Sequence, residues 1–498
     1  MKKRLIFNTV SSVLLQVVTV VCGFILPRLI LGQFGSQVNG LVQSITRFLS
    51  IISFLELGIG YVIQSSLYKP LLENDRIRIS EIVSSGSKFF VRIAQVLLIY
   101  VVILTIIFPF FQDDEFSWLY TSTLILSISI SFFAQYYFGI INRLLLNADQ
   151  RGYIQYTTQI VIIILNTIVS VVLIKTNQSI QIVKLGSSLV FLAGPLFLNY
   201  YVNSHYKINR RISYVEEPIK QKWNGIAVHI SQTVLNETDT IVLTVFSTWT
   251  NVSIYSVYNL VVNGVKQLVI TSTAGFDSII GKLWASENTE RLRKAFALIE
   301  WWIHFVTIFV FSCTYVLILP FISYYTRNIT DAEYIQPLFA ALIIAAQAGH
   351  CLRLPYNKMI MACGHFKQTQ KCYILSAILN LVISCIAVYQ WGLIGVALGT
   401  LVAMYYQTIW MACYNTKKLL RIPFHCFVKQ IAIDILYAAS VIVSTSMLEM
   451  NEISFVSFVV LAIKVAVIAG GLGLLLNFVF YRKNINEALL FVVKKAKS

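Results

Sequence analysis

The chain has 498 residues, 57% of them hydrophobic and 12% charged, with a formal net charge of +17. Apolar runs of about 18 to 28 residues recur between short polar breaks, which excludes a soluble core and defines an all-α polytopic membrane protein. In a soluble chain this charge would suggest nucleic acid, but the basic residues sit in alternate loops and report orientation, so no nucleic-acid partner is expected.

About 14 transmembrane helices are expected in chain order, at 5–31, 37–67, 89–111, 118–143, 154–174, 180–204, 226–248, 252–280, 296–322, 335–361, 371–389, 393–415, 428–448 and 454–481. The first follows Met-Lys-Lys-Arg with no small-residue cleavage site and reads as an uncleaved span. It ends near Pro27-Arg28, and the second puts Arg47 close to the hydrocarbon midplane. A cation there costs about 2.5–3.5 kcal/mol even on a lenient insertion scale, so Arg47 is expected to face a watery cavity or a partner. Arg28 lies nearer the outer interface, where snorkelling accounts for it equally well. Glu56 is nine residues beyond Arg47, half a revolution around the helix, so the two cannot pair.

The longest cytoplasmic loop, 205–225, holds Arg210, Arg211, Glu216, Glu217 and Pro218 and reads as a solvated linker. Glu237 and Asp239 follow on the seventh span, about 200° apart, so at most one faces any cavity. Such an intramembrane carboxylate either carries a coupling proton or sodium ion or holds a cavity cation in place. The eighth span carries Lys266 in its middle and Asp277 about 16 Å further along the axis, too far for contact. On the tenth, His350, Arg353 and Asn357 share one face around Pro355. A proline break at that depth lines a substrate path or makes a kink with an interhelical hydrogen bond.

About 26 of the 39 Lys and Arg fall in the even-numbered connections and the termini, against two in the odd-numbered ones, so both termini are expected in the cytoplasm. The eight cysteines lie in spans or on the cytoplasmic side, so no disulfide framework is expected. Cys363, His365 and Cys372 lack the paired spacing of a zinc site, and no metal is expected. There is no P-loop, G-x-S-x-G or H-E-x-x-H, which argues against an enzyme and against a cofactor.

Internal similarity doubles a six-span unit. Leu41-Val42, Arg47, Leu49, Ile51 and Ser53 recur as Leu260-Val261, Lys266, Leu268, Ile270 and Ser272, and Leu165-Asn166 with Ser170 recur as Leu379-Asn380 with Ser384. Six is an even number, so the halves are expected to be parallel and related by a pseudo-twofold along the membrane normal. The expected organisation is an N-terminal six-helix bundle (1–204), a cytoplasmic linker (205–225), a C-terminal six-helix bundle (226–415), an additional helix pair (428–481) and a cytoplasmic tail (482–498). Lys266 then occupies the place in the second half that Arg47 holds in the first.

Asn8, Pro27-Arg28, Gly32-x-x-Gly35, the stretch from Asp239 to Tyr258 and Trp391-Gly392-Leu393-Ile394-Gly395-Val396-Ala397 together resemble the polysaccharide transporter family. These are the O-antigen, capsule and teichuronic-type flippases of the multidrug/oligosaccharidyl-lipid/polysaccharide exporter superfamily. The resemblance implies two six-helix bundles that alternately open to either side of a bacterial plasma membrane. Their cargo would be a polyprenyl-diphosphate-linked oligosaccharide for cell-surface polysaccharide synthesis, with a glycan polymerase and assembly proteins as partners beside the membrane lipids. In the related lipid II flippases, arginines on the first, second and eighth spans line the central cavity, and Arg28, Arg47 and Lys266 match those spans. Lysine still binds phosphate but lacks the bidentate fork. The substrate-binding candidates are therefore Arg28, Arg47, Lys266 and Arg353. The candidates for ion coupling are Asp239, Glu237, Glu56 and Asp277. A multidrug exporter or lipid II-type flippase of the same superfamily shares the topology. A membrane glycan polymerase or glycosyltransferase is the enzyme alternative, and would need a larger surface loop than this chain has.

Overall fold

In hydrocarbon no water satisfies backbone N–H and C=O groups, so each long apolar run closes its hydrogen bonds within its own helix. A computed structural model of the chain shows this directly; it describes all residues except 1, 56–58, 112–115, 211, 213–225, 274, 287, 451 and 483–498. Among the described residues every regular element is helical. The helices are α1 (Lys2–Ser50), α2 (Ile59–Glu73), α3 (Arg76–Ile107), α4 (Trp118–Ala134), α5 (Ile140–Ala148), α6 (Gly152–Lys175), α7 (Ile180–Tyr206), α8 (Ile226–Phe246), α9 (Trp249–Ser272), α10 (Phe276–Ala285), α11 (Thr289–Tyr325), α12 (Pro337–Leu352), α13 (Leu354–Ala362), α14 (Phe366–Trp391), α15 (Leu393–Tyr414), α16 (His425–Thr445) and α17 (Phe455–Phe480). Four starts are capped by side chains that accept an orphan N–H: Asp75, Ser117, Asn288 and Ser454.

Eleven helices among the described residues are long and apolar enough to cross a membrane. The expected first and second spans are merged in one of them, Ile6–Leu55, and α8 and α9 are not among the eleven. The expected connection at 32–36 is only a break at Gly35, whose φ of 81° and ψ of 176° suit glycine. The expected eighth span is also shorter than 252–280. Helix α9 stops at Ser272, and Asp277 belongs to the first turn of the separate helix α10.

The chain divides into two compact units, Met1–Thr233 with Thr248–Ser253, and Val234–Ser247 with Ile254–Ser498. In the first, α1 packs on α6, and α4 and α6 pack on α7. Asn8 ties α1 down by donating to Gln150 O (3.0 Å) and accepting from Tyr153 N (2.7 Å). The start of the loop expected to be a solvated linker is docked instead. Arg210 donates to Asn142 Oδ1 (2.9 Å), Asn199 Oδ1 (2.8 Å) and Asn203 Oδ1 (3.1 Å), while Ser84 Oγ donates to Arg210 O (3.0 Å). A guanidinium can serve several acceptors at once, which is why one arginine joins α3, α5 and α7.

In the second unit α14 and α15 form the tightest hairpin. A Cβ at Gly395 would stand 2.3 Å from Ala387 O, and one at Gly399 would stand 2.2 Å from Ser384 Oγ. Two glycines one turn apart let the backbones approach, the small-residue device of membrane helix pairs. Helices α16 and α17 pack against α11 through a core of Ile308, Leu352, Tyr437, Val441 and Ala469.

Candidate functional site

The break at Pro355 positions the first group. Proline cannot donate the backbone bond that would continue α12, so α12 ends at Leu352, α13 begins at Leu354, and Arg353 sits at the junction. Arg353 is 3% exposed. Its Nη2 donates to His350 Nδ1 at 3.0 Å, while Nε and Nη1 have no hydrogen-bond partner among the described residues. Lys266 on α9 lies within electrostatic range of both His350 and Cys351, as does Arg353. The second unit thus gathers Lys266, His350 and Arg353 into one basic cluster. Asn357, on the same face, instead accepts from Tyr373 Oη at 2.6 Å and joins α13 to α14.

The second group is built on Asp239, 3% exposed on α8. Its carboxylate accepts from Thr400 Oγ1 (2.6 and 2.7 Å), Tyr255 Oη (2.9 Å) and Asn380 Nδ2 (3.4 Å). Thr400 Oγ1 also lies 3.3 Å from Val396 O, and Asn380 Oδ1 is buried with no hydrogen-bond partner among the described residues. One carboxylate, two hydroxyls and one amide nitrogen therefore converge from α8, α9, α14 and α15. The oxygen donors among them suit a proton or a hard cation rather than a soft metal. Glu237 is close enough to interact with Asp239 but is only half-buried.

The remaining candidates are placed differently. Arg28 and Arg47, both on α1 in the first unit, are partly buried, and each engages neighbouring groups. Asp277 is exposed and paired with Lys358 Nζ at 2.8 Å, and it lies on α10 rather than on the helix of Lys266, where it was expected. Glu56 lies outside the described residues.

Two features escaped the sequence reading. In the second unit His304 Nδ1 meets Asp434 Oδ2 at 2.6 Å, Gln430 Nε2 donates to Asp434 Oδ1 at 3.2 Å, and Tyr356 donates to Glu300. These groups join α11 to α13 and α16 inside the apolar layer, and their separation in sequence leaves no local motif. In the first unit Arg143 and Lys184 line a cavity. Lys184 is four residues into a span, a position that reads as an ordinary rim lysine.

The architecture is that of an all-helical chain with many helices able to span a membrane. By structure the chain is similar to a lipid II flippase, MurJ, in an inward closed conformation, with a TM-score of 0.67 and 15% identity over 96% of this chain and 100% of that one. It is also similar to a multidrug resistance MATE family transporter of the MOP superfamily in an inward-facing conformation (TM-score 0.57, 16% identity, 80% and 95% covered). A third is the MATE transporter VcmN of Vibrio cholerae in the bent form (TM-score 0.55, 13% identity, 84% and 95% covered). No family model matches the chain and no curated protein matches it in sequence. The fold is thus the one that these flippase and MATE transporters share.

Proposed function

We propose that the chain moves a polyprenyl-diphosphate-linked oligosaccharide across a bacterial plasma membrane, by alternating access, for cell-surface polysaccharide synthesis. In this reading the cations Arg28, Arg47, Lys266 and Arg353 take the charge of the diphosphate, and Asp239 carries the coupling proton or sodium ion. Both termini are cytoplasmic in this reading.

The observation that carries it is Arg353, buried within a helix long and apolar enough to span a membrane, with two nitrogens, Nε and Nη1, that have no hydrogen-bond partner among the described residues. A cation retained at such depth needs compensation, and an anionic ligand supplies it through charge-assisted hydrogen bonds. A cargo that is itself cationic, as many drugs are, would be repelled by Lys266 and Arg353. The polyprenyl tail needs no shelter from lipid, whereas the diphosphate does. The test is surface glycan and drug resistance measured in the same cells. Arg353→Gln at wild-type protein level should abolish surface glycan and leave drug resistance unchanged. Lost drug export with intact glycan would favour the multidrug reading.

A further inference from the structure

Inside the first unit, residues of α1, α4, α5, α6 and α7 line a half-open cavity of about 480 Å³. That is within the range of about 300–1,000 Å³ typical of small-ligand sites. Its wall follows α7 from Lys184 to Leu198, about 21 Å at 1.5 Å per residue, so it is elongated rather than round. Two cations line it, Lys184 and Arg143, and none of its lining residues is acidic. Among the described residues Lys184 has neither a hydrogen bond nor an ion pair. Lys184 is partly buried, and an ammonium group lining a membrane-protein cavity without a counter-charge is costly unless a ligand brings one.

The rest of the wall narrows the ligand class. Thr19, Gln135, Gln159 and Ser187 supply hydroxyls and amides, and Phe132 and Phe191 supply flat apolar faces. A lipid tail would use the aromatic faces but not the cations. A free phosphate would use the cations but leave most of the volume empty. A sugar ring bearing a carboxylate uses all three features: an apolar ring face against Phe, hydroxyls against Thr, Ser and Gln, and a carboxylate against Lys184. We propose that this cavity is a binding site for an acidic sugar unit of the uronic acid class, with Lys184 as its principal charge contact. The proposal takes its ligand class from the glycan reading above but not its residues, since Arg28, Arg47, Lys266 and Arg353 are outside the lining.

The experiment is equilibrium binding of radiolabelled glucuronate to the full chain in lipid nanodiscs, with glucose and inorganic phosphate as competitors. Saturable glucuronate binding is expected, with glucose at least about tenfold weaker and phosphate unable to displace it at equal concentration. Lys184→Gln should weaken binding by about tenfold or more, and Lys184→Arg should stay within about threefold of wild type. Equal binding of glucose and glucuronate, or undiminished binding by Lys184→Gln, would overturn the site. Displacement by phosphate as effective as by glucuronate would reduce it to a simple anion site and overturn the sugar assignment. If Lys184→Gln does not fold, the competition series on the wild-type chain decides alone. Binding is read here without transport, so its failure leaves the diphosphate reading standing, and failed flipping leaves this site standing.

Discussion

The hydroxyl of Thr400 stands 2.6 Å from Oδ1 and 2.7 Å from Oδ2 of Asp239, although the two residues are 161 positions apart. One hydroxyl proton is shared by a carboxylate that also receives Tyr255 and Asn380. The coupling role proposed for Asp239 requires this donor set, drawn from other helices, to change between conformations.

Asp239→Asn keeps the shape of the side chain and removes its charge. Flipping in proteoliposomes should then lose its response to imposed proton and sodium gradients. Wild-type dependence on both gradients in this variant would remove Asp239 from coupling.

The α14–α15 hairpin should tolerate no side chain at its contact. Gly399→Val places atoms where Ser384 Oγ and the Ser384 backbone already stand, and should destabilise the protein by at least about 1–3 kcal/mol. Gly471, with nothing within 4 Å of an added Cβ, is the control: Gly471→Ala should be neutral or slightly stabilising. Thermal unfolding of the detergent-solubilised protein distinguishes the two, and equal melting temperatures would refute the close-packing argument.

The pair His304 and Asp434 holds α16 to α11. Asp434→Ala leaves a buried imidazole without its partner and should cost about 3–5 kcal/mol, whereas a joint His304→Leu, Asp434→Leu replacement should cost less than the single change. The check is limited proteolysis between α15 and α16 with melting temperature as a second readout. A double variant less stable than Asp434→Ala would show that the pair is not a mutually compensating unit.

Arg210, outside the membrane-spanning helices, has its pKa lowered by burial but remains a charged donor. Arg210→Ala should free the segment 205–210 to proteases, and Arg210→Lys should not restore protection because one ammonium cannot span Asn142, Asn199 and Asn203. Full protection in Arg210→Lys would mean that charge alone, not the fork, docks the segment.

Much of the fold was legible because lipid imposes helices and because hydropathy is written locally. The breaks at Pro355 and near Gly35 were equally local, each tied to one residue's backbone chemistry. The helix of Lys266 was expected to run through Asp277, but it ends at Ser272, just ahead of Gly275, a residue type that commonly closes helices. It treated 205–225 as solvated on composition, where a single arginine finding three asparagine oxygens docks the start of the segment. The contacts of Asp239 with Thr400 and Asn380 and the pair of His304 and Asp434 join side chains more than a hundred residues apart, which spacing cannot reveal. Lys184 was passed over because a lysine near a span end is normally a snorkelling one.

The most direct measurement is flipping of a fluorescent polyprenyl-diphosphate oligosaccharide by the purified chain in proteoliposomes, comparing wild type with the Arg47→Gln, Lys266→Gln double variant and with Lys266→Arg. Each lost charge-assisted contact should cost about 1.5–3 kcal/mol, or roughly 10- to 100-fold per residue. The double variant should therefore fall to background while Lys266→Arg stays active. Wild-type flipping by the double variant, at equal reconstituted protein, would contradict the diphosphate assignment.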